Sequence, residues 1–257
     1  MNEKLIESKS NPFYKKLKKI YSSGSFRKNQ NQTILDGPHL INSFFLHSTP
    51  VSIIKDLSIL SPEIENLKSS LDCPCYSLSH ELFLQLSDLK SSTGILALVD
   101  IPKVKPSESD GLILLLDGIQ DPGNLGSILR TAKATNTKSI IMSKTCADLW
   151  SPKTLRGSQG VQFSLNCVVE QNLNEWILNY KHNVIALATN GKSLFKTKLN
   201  SNMAILVGNE GKGISKPLLK NIVGTISLPM HKEVESINVG AAVSAFMYEH
   251  YRRSHAD

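Results

Sequence analysis

The chain has 257 residues, 40% of them hydrophobic, enough for one large or two modest domains and too apolar for a disordered polymer. Its formal net charge of +7 favours a polyanionic partner while saying nothing about fold. No apolar run approaches transmembrane length, and Met1 to Lys19 lacks the continuous apolar core of a signal peptide, so the expectation is a cytoplasmic protein without a membrane partner. Cys73 and Cys75 are too close for a standard zinc pair, Cys146 and Cys167 stand alone, and the histidines are scattered; this predicts reduced thiols and no metal.

Residues 1–28 hold eight Lys or Arg against two acids, which concentrates positive charge at the N-terminus. Residues 1–20 read as a basic helix with Leu5, Phe13, Leu17 and Ile20 as its apolar stripe. Lys15, Lys16, Lys18 and Lys19 form its charged face and, with Arg27, are the candidate phosphate contacts, although such a run is also what any solvated face looks like. Thr33 to Asp36 reads as a strand, Gly37-Pro38 as a turn, and a helix follows through Phe45. From Val51 to Val99 the pattern predicts strands at 51–54, 74–77 and 94–99 with helices at 62–70 and 79–87, a small α/β layer structure. Residues 1–100 are therefore expected to form one domain, and 101–111, with two prolines and no apolar period, a linker.

A second domain is expected over 112–257. Leu112 to Leu116 is continuous and apolar, as in a parallel strand covered on both faces. The loop Ile119 to Gly123 leads into a helix in which Leu125, Ile128, Leu129 and Ala132 define the buried stripe, with Asn124, Ser127 and Arg130 on the other side. A lone Asn at a helix start is usually a cap and a lone Arg usually a surface charge. This junction, however, lies at a strand's C-terminal end, where ligands of open α/β sheets bind. Strands are predicted at 139–142, 165–169 and 184–188, with helices from Pro152 and around Trp176.

Met203 to Val207 reads as a buried strand that opens into Gly208-Asn209-Glu210-Gly211-Lys212-Gly213, and Thr225 to Met230 as another strand before a loop from His231 to Ile237. Asn238 starts an amphipathic helix running to Arg253. A Walker loop is rejected because Gly213, not Ser or Thr, follows Lys212; a dinucleotide fingerprint is rejected because the glycine order is reversed. A side chain at Gly208 is expected to block a ligand lying against the strand end.

Three stretches in order, Asp121-Pro122-Gly123-Asn124 through Arg130, Val207-Gly208-Asn209-Glu210-Gly211-Lys212-Gly213, and Leu228-Pro229-Met230 followed by Ser236-Ile237-Asn238-Val239, resemble the motifs of the SpoU family of RNA ribose 2'-O-methyltransferases, within the SPOUT class. The opening at Thr33 to Ile41 resembles the substrate-binding domain that precedes many catalytic domains of this family. The resemblance implies a parallel α/β domain with a deep trefoil knot, preceded by a smaller α/β RNA-binding domain like small ribosomal proteins. It implies S-adenosylmethionine held around Leu206, Val207, Gly208, Gly211, Ile226, Leu228, Met230, Ile237, Asn238 and Val239, transfer-site roles for Asn124, Arg130, Glu210, Ser236 and Asn238, and a homodimer through the last helix. Gly240, where the family usually has Ser, and Asn209, where it commonly has a small residue, depart from the pattern. The implied substrate is RNA, with 23S-type rRNA favoured over tRNA; a non-catalytic RNA-binding protein is the rival from another class.

Overall fold

The computed structural model describes residues 3–87, 91–103 and 110–255. In chain order the first half comprises β1 (Lys4–Ile6), α1 (Pro12–Ser22), α2 (Gly24–Gln30), β2 (Gln32–Asp36), α3 (Pro38–Phe45), β3 (Ser52–Asp56), α4 (Pro62–Ser70), β4 (Cys75–Leu78), α5 (His80–Leu84) and β5 (Ile95–Asp100). There follow β6 (Leu112–Asp117), α6 (Pro122–Ala134), β7 (Ser139–Ser143), α7 (Pro152–Ser158), β8 (Cys167–Gln171), α8 (Leu173–Asn179), β9 (Val184–Ser193), β10 (Met203–Gly208), α9 (Lys216–Leu219), β11 (Gly224–Ser227) and α10 (Val239–Ser254). Residues 104–109 of the expected linker lie outside the described residues.

The elements form two units. The N-terminal unit takes the chain up to Lys103 together with Trp150–Phe163. Its five-stranded sheet runs β1-β4-β3-β5-β2, parallel from β1 to β3 and antiparallel beyond. Strand alternation divides its core: Leu35, Ile53, Ile95 and Ala97 face one side, where α3 and α4 supply Leu40, Ile41, Phe44, Ile64 and Leu67. Ile34, Ile54, Leu96 and Leu98 face the other, against Tyr14, Leu17 and Ile20 of α1 and Leu82 and Phe83 from α5.

The sequence reading placed residues 150–163 in the second domain; they pack in the first. Leu155 is fully buried among Leu35, Phe44 and their neighbours, Phe163 meets Phe44 edge-on at 5.1 Å, and Thr33 Oγ1 donates to the Trp150 carbonyl at 2.6 Å. The apolar side chains of this short segment fill a sheet face that α3 and α4 leave incomplete.

Two buried carboxylates sit in this unit. Asp36 accepts from Thr93 Oγ1 (2.8 Å), Ser87 Oγ (2.7 Å) and the Tyr21 hydroxyl (3.3 Å), and lies 3.5 Å from Arg156 Nη1. Asp56 accepts from the backbone N–H and hydroxyl of Ser58 and lies 2.7 Å from His80 Nδ1. Burial alone would raise the Asp56 pKa, but these hydrogen bonds outweigh it and hold the carboxyl below its ordinary value.

Two N-terminal expectations need correction. The basic helix begins only at Pro12, because Asn11 caps it by accepting from the N–H groups of Phe13 and Tyr14 and proline suits the first helical turn. Residues 4–6 instead form a strand on β4, leaving Leu5 54% exposed. Arg27, expected on phosphate, is 5% exposed and donates through Nη1 to the carbonyls of Ile20 and Tyr21 at the end of α1. Its charge there complements the helix C-terminus. Lys15, Lys18 and Lys19 are exposed on α1, and Lys16 is half-buried.

The C-terminal unit holds Ser164–His255 and the described residues 110–149. Its six strands, in order β11-β9-β10-β6-β7-β8, are all parallel. Both faces are covered, which is why β6 and β10 are continuous apolar runs. α8 packs Leu173 and Ile177 on one face, and Leu125, Ile128 and Leu129 of α6 are likewise fully or almost fully buried. β11 ends at Ser227, so Leu228 to Met230, expected in the strand, belong to the loop beyond it.

Candidate active site

All six strands point the same way, so their C-terminal ends gather the loops at one edge, and an open cavity of about 810 Å³ lies there. Leu187, Ala188 and Thr189 of β9, the loop from Gly208 to Ile214, the stretch Glu235 to Asn238 and the start of α10 line it. Of the expected site residues, Asn124, Val207, Gly208, Glu210, Gly211, Leu228, Met230, Ser236, Ile237, Asn238 and Val239 are on its wall. Leu206 and Ile226 are not: both are buried in the sheet, and Leu206 packs with Ile113, Leu115 and Ala204 on the α8 side. Successive strand residues face opposite ways, so Val207 and Leu206 cannot both face the cavity from the body of a strand. Arg130 is exposed on α6 outside the wall, and no hydrogen bond or ion pair engages it among the described residues.

Wall residues not assigned to the site from the sequence are Leu187, Ala188, Thr189, Asn209, Lys212, Gly213, Ile214, Leu219, Thr225, Glu235 and Ala242. Those of β9 could have been found from the rule that neighbouring parallel strands share a ligand edge, had the sheet order been known.

A directional chain of hydrogen bonds crosses the rim. Glu210 accepts from Asn124 Nδ2 at 3.1 Å and from the backbone N–H groups of Gln120 and Asp121 at 3.3 and 3.4 Å. Because the Asn124 amide nitrogen is committed to a carboxylate, its oxygen faces Asn238, whose Nδ2 donates to it at 2.9 Å. The oxygen of Asn238 then accepts from the Ala241 N–H at 3.2 Å, capping α10. Asp121 caps α6 in the same way, accepting from Asn124 N at 2.8 Å. Asn238 therefore caps α10 and lines the cavity at the same time. Burial pushes the Glu210 carboxyl up, but hydrogen bonds from backbone N–H groups and from Asn124 prevail and hold it below the usual value, so it is anionic near neutral pH.

The glycine-rich loop is closed on itself. Asn209 and Gly213 exchange backbone hydrogen bonds at 3.0 and 2.9 Å. A Cβ at Gly208 would lie 2.4 Å from the Gly213 carbonyl carbon and from the Ile214 nitrogen. Gly208 is therefore required by the loop's own backbone, a different reason from the ligand contact expected above.

α10 packs on α6, with Thr131 Oγ1 and Ser244 Oγ 2.9 Å apart and the Gly240 Cα side facing Ser127. Gly240, Val243, Phe246, Met247 and His250 form its buried face; Ala241, Ala245 and Tyr248 are exposed. Gly240 and Ser244 thus serve a helix contact inside the chain.

Residues 111–248 match the family model described as the SpoU rRNA methylase family. The chain belongs to that family. It is 30% identical over 251 residues to the 23S rRNA (guanosine(2553)-2'-O)-methyltransferase RlmP of Bacillus subtilis, spanning 95% of this chain and 98% of RlmP. It is 26% identical over 238 residues to the 23S rRNA (guanosine-2'-O-)-methyltransferase RlmB of Haemophilus influenzae, spanning 84% and 96%. A crystal structure of an RNA 2'-O ribose methyltransferase superposes with a TM-score of 0.83 at 25% identity over 97% of this chain and 99% of that one. The AviRb methyltransferase of Streptomyces viridochromogenes, solved with AdoMet, superposes with a TM-score of 0.86 at 24% identity over 95% and 98%, a likeness of fold.

Proposed function

We propose that this SpoU-family methyltransferase moves the methyl group of S-adenosylmethionine to a ribose 2'-hydroxyl of ribosomal RNA, of the 23S class. The Glu210–Asn124–Asn238 chain at the rim of the strand-end cavity is the observation that carries this reading. Likeness along nearly the whole chain to RlmP supports rRNA over tRNA, since it includes the N-terminal unit as well as the catalytic one.

The cavity suits the cofactor. Its volume is within the range of about 300–1,000 Å³ usual for small-molecule sites. Val207, Leu228, Met230 and Ile237 offer an apolar wall, and the carboxylates of Glu210 and Glu235 at the lining complement a cation. When bound, S-adenosylmethionine supplies an electrophilic methyl on a positively charged sulfur. The protein's task is then to hold the ribose oxygen in line and relieve it of a proton, and alignment alone can supply much of the rate. Glu210, fixed by Asn124 and two backbone donors, and Asn238, fixed by its helix, make a rigid polar rim against which the ribose is set, with Ser236 beside it.

Arg130 is the group assigned to the hydroxyl. Its guanidinium, normally protonated with a pKa above about 12, acts either as an unusual base or as a cation that holds a substrate phosphate and stabilises the developing alkoxide. The exposed Lys15, Lys18 and Lys19 of α1, with Lys16, add RNA affinity from the N-terminal unit. The exposed Ala241, Ala245 and Tyr248 of α10 are the surface for a homodimer. The return of residues 228–238 to the 208–214 loop, after β11 has gone to the far side of β9, is read as the threading of a deep trefoil knot. An rRNA substrate places the protein in the cytoplasm.

Ribose-methylation mapping of rRNA and tRNA from a strain lacking the protein tests the substrate: loss of one rRNA methyl is expected, and loss of a tRNA methyl alone would refute the rRNA reading. Arg130→Ala and Arg130→Lys should both keep cofactor affinity by calorimetry while single-turnover transfer falls by about a hundredfold or more. Near-normal transfer by the alanine variant would remove Arg130 from the mechanism.

A further inference from the structure

Asn209 is a cavity-wall residue with no role so far beyond its backbone pairing. Its side-chain oxygen accepts from the N–H groups of Gly211 (3.0 Å) and Lys212 (2.9 Å), inside its own loop. Its amide nitrogen does something different. It crosses to the loop after β6 and donates to the Gly118 carbonyl at 2.8 Å, with Glu210 Oε2 3.4 Å away. The loop it reaches is the one whose Gln120 and Asp121 N–H groups bind Glu210, and whose Asp121 starts the helix carrying Asn124 and Arg130.

The loop from Gly208 to Gly213 does not need this amide nitrogen for its shape, because the two backbone bonds between Asn209 and Gly213 and the two bonds to the Asn209 oxygen already close it. The Asn209–Gly118 bond instead joins the loop bearing Glu210 to the loop leading to Asn124. A carboxylate held by donors from a separate loop stays aligned only while the two loops keep one spacing. A displacement of about 1 Å at a reacting centre can cost a hundredfold in rate.

We propose that Asn209 is a positioning residue for methyl transfer, whose amide N–H to Gly118 sets the register of the Glu210 loop against the Asn124 helix. The proposal rests on the methyltransferase reading above. It assigns Asn209 no contact with the reacting atoms and separates its two halves by function: the oxygen shapes the cofactor loop, and the nitrogen aligns the transfer rim.

That separation is testable, because Asn209→Asp keeps an oxygen for Gly211 and Lys212 but cannot donate to Gly118 when ionised. Asn209→Ala removes both halves without adding charge. With the full chain and rRNA from a strain lacking the protein, single-turnover transfer at saturating cofactor should fall about tenfold or more in both variants. Cofactor affinity of Asn209→Asp, by calorimetry, should stay within about threefold of the parent, a difference well under 1.4 kcal/mol.

Parent-like transfer by Asn209→Asp would overturn the proposal, as would a rate loss in Asn209→Asp alone, which would mark added charge as the cause. Cofactor binding by Asn209→Asp weakened well beyond threefold would make Asn209 a residue that shapes the cofactor loop and would also overturn it. If the parent protein itself moved no methyl group to this RNA, the rRNA reading would fall first and this proposal with it; the parent's transfer rate distinguishes the two failures.

Discussion

The two units treat polar groups in opposite ways. In the N-terminal unit Asp36 and Asp56 have fully buried side chains and are surrounded by hydroxyls, an imidazole and a guanidinium. In the C-terminal unit the central strands β6 and β10 are apolar up to their last residues, Asp117 and Gly208, and the Glu210 network lies in the loops beyond the strand ends, where Glu210 stays exposed. A buried network that is fully paired fixes one packing and has no capacity for a ligand. A network on a cavity rim is ordered before the ligand arrives and still has surface to offer it. The contrast separates a unit whose polar groups are paired in its interior from one whose polar groups are gathered at the rim of a cavity.

The comparison breaks most severely at Leu155, which is fully buried in the N-terminal unit although the chain on either side belongs to the other. Leu155→Ala should cost about 2–5 kcal/mol. The two tryptophans divide between the units, Trp150 in the first and Trp176 in the second, so single-tryptophan variants can follow each in denaturant. The Trp150 transition should move to lower denaturant by more than the Trp176 transition; equal shifts would show that the units unfold as one.

The next effect is confined to the cavity. Gly208→Ala places a Cβ 2.4 Å from backbone that cannot give way without moving the whole loop. Overpacking of this kind costs about 1–3 kcal/mol, so cofactor affinity should drop by roughly ten- to a hundredfold while the Trp150 transition stays in place. Unchanged affinity would mean that the cavity wall tolerates a displaced loop.

The smallest effect concerns His250, an interior ionisable group of the C-terminal unit. It is 7% exposed and its Nε2–H donates to the Asn200 carbonyl at 3.0 Å. Burial, aided by Arg253 and His255, holds its pKa below the ordinary 6.5 in spite of that hydrogen bond. The unfolded chain therefore binds the proton more readily. Stability from this group is present in full above about pH 6.5 and is lost as pH falls through the lowered folded value. His250→Gln should flatten that part of the pH–stability curve; an unchanged slope would assign the dependence elsewhere.

Local chemistry made much of this legible. The run Leu112 to Leu116, the Asp121-Pro122 helix start and the strand-to-glycine transition at Val207-Gly208 each state their structure through neighbours in sequence. What escaped depends on partners far along the chain. Arg27 reads like the lysines beside it until the end of α1 is seen to need a cation. Leu206 and Val207 differ only in which sheet face becomes the cavity, and Thr189 is in the site only because β9 lies next to β10. The Asn11-Pro12 cap was readable, and the charge pattern around it obscured it.

The return of Trp150–Phe163 to the N-terminal unit also has a bearing on the order in which the protein can fold during its synthesis. Domains generally fold as the ribosome releases them, the N-terminal one first. Here the first sheet is complete once Asp100 has emerged, but Leu155 and Phe163, which cover part of it, are still to be made. At about 5–20 residues per second the 60 residues from Lys103 to Phe163 take roughly 3–12 s. During that interval the apolar side chains around Leu35 and Phe44 lack the cover that Leu155 and Phe163 later supply.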